Sequence, residues 1–200
     1  MEIVLLAGSP AIPSRSTRLL HHIGELLATQ GHRCLKLHVR DLPAEALLHA
    51  DFDHPVIRLA LGTVAHADAV VIATPIYKAS CSGILKAFLD LLPQDGLLHK
   101  PVLPTATGGS QSHLLALDYA LRPILTSLSA GHILPSLYAT DSQIDWSAER
   151  GLVLDAGIAR RVQEGVRMLS TVLAQHAPGF AGADSATLPS IDQLSARCSA

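Results

Sequence analysis

Apolar runs of strand length alternate with longer segments of helical spacing along most of the chain, and that alternation leaves few architectures open. The runs are EIVLLA (2–7), RCLKLHV (33–39), AVVIAT (69–74), VLPTAT (102–107) and HILPSLYA (132–139). Helical periodicity falls between and after them, near 14–29, 54–66, 82–92, 111–130 and 148–175. The pattern predicts a parallel sheet with helices on both faces, an α/β three-layer sandwich. The first and third runs are apolar almost throughout, as strands covered on both faces must be, whereas RCLKLHV alternates and suits an edge.

A five-stranded parallel sheet favours the order 2-1-3-4-5, which makes the expected fold class flavodoxin-like. The 200-residue length suits one such domain, placed at 1–176. Residues 177–200, rich in Ala, Ser, Gly and Pro without periodicity, are expected to form a flexible C-terminal tail. With 48% of residues hydrophobic and only 16% charged, some apolar surface calls for a second copy of the chain as cover. The net charge of -2, spread along the sequence, provides no basic stripe for nucleic acid and no polybasic run for a membrane. The N-terminal MEIVLLAGSP is too short for a span and lacks a positively charged start, so a cytoplasmic protein is expected. Cys34, Cys81 and Cys198 have no CxxC spacing and are expected to be inert thiols, and the eleven histidines show no metal-ligand spacing.

In an open parallel sheet, ligands bind beyond the carboxyl ends of the strands where the strand order reverses. Three loops therefore concentrate the candidate residues. GSPAIPSRST (8–17) supplies Ser9, Ser14, Arg15 and Ser16 at the start of a helix. Free N–H groups, hydroxyls and a guanidinium together suit a phosphate, although the loop is neither GxxxxGK[ST] nor GxGxxG, and Ser14 or Ser16 could equally be a simple N-cap. After the third strand, Pro75, Ile76, Tyr77 and Lys78 offer a restrained turn and a flat aromatic ring, unless Tyr77 only closes the edge of the core. After the fourth, Thr107, Gly108, Gly109 and Ser110 let backbone approach a ligand face. The three loops describe a site for a flat, phosphorylated ligand, and FMN has that shape. Further on, Pro123 has no N–H for the carbonyl of Tyr119, which predicts a kink or π-bulge there; Leu115 and Tyr119 also project from the side opposite the apolar stripe. An ordinary rim Tyr119 beside an Asp118–Arg122 pair is the plainer reading.

The blocks LAGSPAIPSRST, ATPIYKASCSGILKAFLDLLP, LPTATGGSQSHLLALDYALRPIL and ATDSQIDW resemble the NADPH-dependent FMN reductases of two-component monooxygenase systems, the SsuE type in particular, from residue 2 to about 146. The resemblance implies hydride transfer from NADPH to FMN and supply of reduced flavin to a monooxygenase in alkanesulfonate utilisation. By position it assigns Ser9, Ser14, Arg15 and Ser16 to the FMN phosphate, Pro75 to Lys78 to the ribityl chain and ring, and Thr107 to Ser110 to the ring edge. It also implies a homo-oligomer, a tetramer, with a π-helix around Tyr119 at the subunit interface. His113 stands either on the nicotinamide side or at the surface. No general acid or base stands out, and cofactor-borne hydride chemistry requires none. A quinone or azo-dye reductase and a non-enzymatic flavodoxin-type carrier share the expected pocket. A phosphoryl receiver lacks its acids, since Gly8 and Thr74 occupy the relevant strand ends.

Overall fold

The computed structural model describes residues 1–176; the tail expected at 177–200, with Cys198, lies outside them. Strand β1 (Glu2–Ala7) is buried after its first residue, and β3 (Ala69–Tyr77) is buried through Thr74. Their unbroken apolar runs are sandwiched between two helical layers. Odd positions of β1, such as Ile3 and Leu5, pack with Val71 and Ala73 against α1 (Arg15–Thr29) and α6 (Ala156–His176). Even positions, Val4 and Leu6, pack with Val70 and Ile72 against α3 (Pro55–His66), α4 (Gly83–Leu89) and α5 (Arg122–Ser127). The two-residue period of a strand thus builds two cores from one sequence. Strand β2 (Arg33–His38) is nowhere fully buried and forms one sheet edge.

The sheet order is β2-β1-β3-β5-β6, where β5 is Pro101–Gly108 and β6 is His132–Ile133. That is the expected flavodoxin-like order, but the sheet has seven strands instead of five. Two local causes account for the difference. The last predicted strand is broken at Pro135, so β6 pairs with the start of β5 and β7 (Leu137–Thr140) with its end. A two-residue β4 (Ser80–Cys81) folds back antiparallel on β3, which consequently runs to Tyr77 and not to 74. Pro75, expected where the chain leaves the sheet, is inside β3 opposite Thr107. It is tolerated there because β1 stops pairing at Ala73, so no bond to β1 is lost.

The helix expected from 148 is corrected as well. Residues 144–154 form a hairpin, β8 (Ile144–Ser147) and β9 (Gly151–Leu154), before α6 begins. Gly151, at φ +66°, supplies the turn's left-handed conformation. A short α2 (Ala44–Leu48) was not legible from periodicity. The segment 111–130 divides into a 3-10 turn (Gln111–His113), a π-helix (Leu117–Leu121) and α5. The Arg122 N–H reaches the Leu117 carbonyl, five residues back, beside the Tyr119 carbonyl that Pro123 cannot serve. The extra residue in that turn rotates the faces of α5, so Leu125 is fully buried while Ile124 is only partly buried. Leu115 and Tyr119 are exposed, Tyr119 at 79%, and the Asp118–Arg122 pair forms at 3.3 Å.

Among the described residues no helix is long and apolar enough to cross a membrane. Cys34 is half-buried and Cys81 buried, and burial raises the pKa of both thiols, which disfavours the reactive thiolate.

The packing of α1 on β2 produces one pH effect. The His21 and His38 Nε2 atoms are 3.3 Å apart, and burial, with Lys36 and Arg40 nearby, lowers both pKa values below 6.5. The folded state therefore favours the neutral rings. Their stabilisation is complete above pH 6.5, the value taken for the unfolded chain, and is lost as pH falls from there through the lower folded values. Melting temperature should drop between pH 7.5 and 5.5, and His38→Gln should flatten that slope. An equal slope in the variant assigns the acid sensitivity elsewhere.

Candidate functional site

The ends of β1, β3 and β5 converge at the point where the strand order reverses. The loop after β1 is clipped to its neighbours at both ends of Gly8: its N–H donates to the Ala73 carbonyl at 2.8 Å, and the Ser82 hydroxyl donates to its carbonyl. A Cβ on Gly8 would stand 2.7 Å from the Leu85 Cβ, so only glycine lets β1 and α4 approach this closely. Ser82 also caps α4 by accepting the Leu85 N–H, and its own N–H donates to Thr74 Oγ1 at 3.0 Å. Two buried hydroxyl residues, Thr74 and Ser82, thereby hold the first two loops together.

Ser14 is the N-cap of α1; its Oγ accepts the Thr17 N–H at 3.2 Å and lies 3.0 Å from Ser16 Oγ. The N–H groups of Arg15 and Ser16 have no acceptor within the helix, and the first turn carries no acid. Both conditions favour an anion. Ser9 is buried and its hydroxyl accepts the Ala11 N–H at 3.3 Å, while Arg40 Nη1 donates to the Ala11 carbonyl at 2.6 Å. The capping and phosphate readings of Ser14 are therefore compatible: one side chain ends the helix while the next two backbone donors stay available.

In the second loop, Tyr77 and Ser80 pair across a two-residue connection made by Lys78 and Ala79, both at positive φ (48° and 59°). Tight hairpins adopt this pattern, usually with Asn and Gly. The tip stores strain and leaves Tyr77 48% exposed at the rim.

The third loop rests on Tyr138, a residue that sequence reasoning missed. The buried Tyr138 hydroxyl donates to the Ser110 carbonyl at 2.6 Å and sits 2.5 Å from where a Cβ on Gly108 would be. Burial, aided by the Asp141 carboxylate, raises its pKa and keeps it a donor. At Gly109 a Cβ would meet nothing within 4 Å, so the backbone there borders open space.

Together the loops enclose an open cleft of about 230 Å³. Ser9, Ser14 and Arg15 line it from the first loop, Pro75, Ile76 and Tyr77 from the second, and Thr107, Gly108 and Gly109 from the third. Ser16, Lys78 and Ser110 do not line it. Ser16 is buried beneath the helix start, Lys78 is at the hairpin tip, and the Ser110 hydroxyl turns to Ser112. His113 and Tyr119 also stand outside it. Ala11, Pro13 and Asp141 join the lining unanticipated. Asp141 directly follows β7 in the same ATDSQIDW block, and its place at a strand's carboxyl end was the signal available for it. Its Oδ2 lies 3.7 Å from Arg15 Nη1, with both side chains about half exposed (46% and 52%).

A flavodoxin-like sheet with an anion-ready helix start and a cleft at its switch point defines the class: a flavodoxin-like α/β protein. Residues 1–145 match the family described as NADPH-dependent FMN reductase, and the chain belongs to that family. It is 48% identical over 147 residues to an FMN reductase (NADPH) of Pseudomonas putida KT2440, covering 74% of this chain and 75% of that one. An Escherichia coli K12 protein of the same description is 45% identical over 144 residues, with 72% and 75% covered. The solved structure of the apo form of an NADH:FMN oxidoreductase, EMOB, aligns with TM-score 0.78 at 35% identity, over 85% of this chain and 88% of its own.

Proposed function

We propose that the protein is a cytoplasmic oxidoreductase that uses NADPH to reduce FMN and delivers the reduced flavin to a partner monooxygenase, in organosulfur utilisation of the alkanesulfonate kind. The observation that carries the reduction step is one cleft that joins the free N–H groups and Arg15 of the α1 start to the Tyr77 rim and the open Gly109 backbone. The residues fit FMN. Ser9, Ser14 and Arg15 would hold the phosphate, with Ser16 contributing its backbone N–H. Pro75, Ile76 and Tyr77 would flank the ribityl chain and ring, and Thr107, Gly108 and Gly109 the ring edge. Lys78 and Ser110 serve this arrangement from outside the cleft, one by forming the hairpin tip and the other by accepting the Tyr138 bond.

When bound, FMN supplies the two-electron acceptor for the NADPH hydride. The protein's part is binding and orientation. The half-exposed Tyr77 ring and the side-chain-free Gly109 leave one side of the cleft accessible to a second planar group. No proton needs to be moved by a side chain for hydride transfer itself.

The deciding experiment is NADPH oxidation with and without free FMN, repeated with riboflavin, FAD, a quinone and NADH, and then with a flavin-dependent monooxygenase added. FMN-dependent turnover that exceeds riboflavin turnover supports the reading. Quinone reduction by the FMN-loaded protein, with no turnover of free FMN, assigns it instead to the quinone reductases, and absence of any turnover assigns it to the carriers.

A homo-oligomer, a tetramer, is part of the same proposal. Leu115 and Tyr119 are large and exposed, Tyr119 within the π-helix and Leu115 in the turn that precedes it. Tyr119→Ala should shift sedimentation toward smaller species and alter the rate of flavin transfer. A monomeric parent protein sinks the assembly proposal outright.

A further inference from the structure

We propose that Asp141 competes with phosphate for Arg15 and thereby sets how tightly the cleft holds a phosphorylated flavin. The proposal rests on the reading of Arg15 as a phosphate contact. Among the described residues that line the cleft, Arg15 and Asp141 are the only charged side chains, so their charges cancel and these side chains give the cleft no net attraction for an anion. An isosteric Asn at 141 would leave it one unit positive.

The position of Asp141 is set by the sheet. Thr140 pairs in register with Gly108, and its N–H donates to Gln143 Oε1 at 2.9 Å in a capping box. Asp141 comes directly after Thr140, so its carboxylate is held at the cleft while its side chain stays about half exposed. At 3.7 Å its contact with Arg15 is too long for a hydrogen bond, and ion pairs this exposed are weak. A phosphate dianion, which also gains the α1 backbone donors, can displace the carboxylate but then remains near it. Both effects, the lost pair and the repulsion, oppose phosphate and neither touches the ring. The opposite possibility is that Asp141 orients Arg15 for phosphate, and it predicts the opposite sign.

The test is fluorescence titration of the full chain with FMN and with riboflavin, for the parent protein, Asp141→Asn, Asp141→Ala and Asp141→Glu. Asn and Ala should each lower the Kd for FMN about two- to fivefold, the scale of a weak exposed pair. Riboflavin affinity should not move in either variant. Glu, which keeps the charge, should resemble the parent. Unchanged or weaker FMN binding in the Asn and Ala variants overturns the proposal, as does an equal change for riboflavin, which would mark a structural role. A parent protein that binds FMN and riboflavin equally overturns the phosphate reading itself and this proposal with it. A parent that prefers FMN, with variants that do not shift, removes the proposal alone.

Discussion

Arg15→Ala should weaken FMN binding by about 1 to 3 kcal/mol, the scale of a lost charge-assisted hydrogen bond, or roughly 5- to 150-fold in Kd. The guanidinium stands at the first position of α1, beside two backbone donors without helical acceptors, so its loss removes the only cationic side chain among the described residues that line the cleft. Riboflavin has no phosphate and should bind the variant and the parent alike. Stability should barely change, because the side chain is half exposed and its ion pair with Asp141 is long. Isothermal titration with both flavins decides the matter. Equal losses for FMN and riboflavin would place Arg15 at the ring and not at the phosphate, and no loss at all would leave it a solvated residue.

The second large effect concerns the glycine under Tyr138. Gly108→Ala places a methyl 2.5 Å from the Tyr138 hydroxyl, an atom at the end of a rigid, buried ring that is bonded to Ser110. The ring or the β5 end must move, at a cost of about 1 to 3 kcal/mol, typical of overpacking. Movement of either also displaces the loop at the cleft, so the Michaelis constant for FMN should rise. Tyr138→Phe alone removes one hydrogen bond and should cost about 0.5 to 1.5 kcal/mol. In the double variant the clashing oxygen is gone, and the combined loss should fall short of the sum of the two singles. Urea unfolding of the four proteins measures the coupling. Strict additivity would falsify the contact as the source of the strain.

The alternation of apolar runs and helical segments was enough to assign the flavodoxin-like class, because a strand apolar on both faces can only be covered by helices on both sides. The same local logic narrowed the N-cap to Ser14 or Ser16 and reached the π-bulge that Pro123 forces at Tyr119 and the glycines at the end of β5. Each rests on interactions within a few residues of the position concerned: a hydroxyl to a nearby N–H, a missing donor, an absent Cβ. Sequence patterns therefore carried the central strands, their order and most of the cleft lining.

Local breaks that periodicity does not show, and contacts between distant segments, decided the rest. Pro135 splits a strand that reads as continuous, and β4 exists because the Tyr77 to Ser80 hairpin folds back onto β3. The hairpin at 144–154 has apolar residues at helical spacing as well as strand spacing, and periodicity could not separate the two. Tyr138 and Asp141 reach the cleft only because β7 pairs alongside β5 in a register that puts Thr140 opposite Gly108. Gly8 is fixed by Leu85, 77 positions away, and Ser82 by the carbonyl of Gly8. A one-dimensional pattern records which residues can occupy a strand or begin a helix. The register that sets Asp141 against Arg15 is a property of packed surfaces, and it exists only once both sheet and helix are in place.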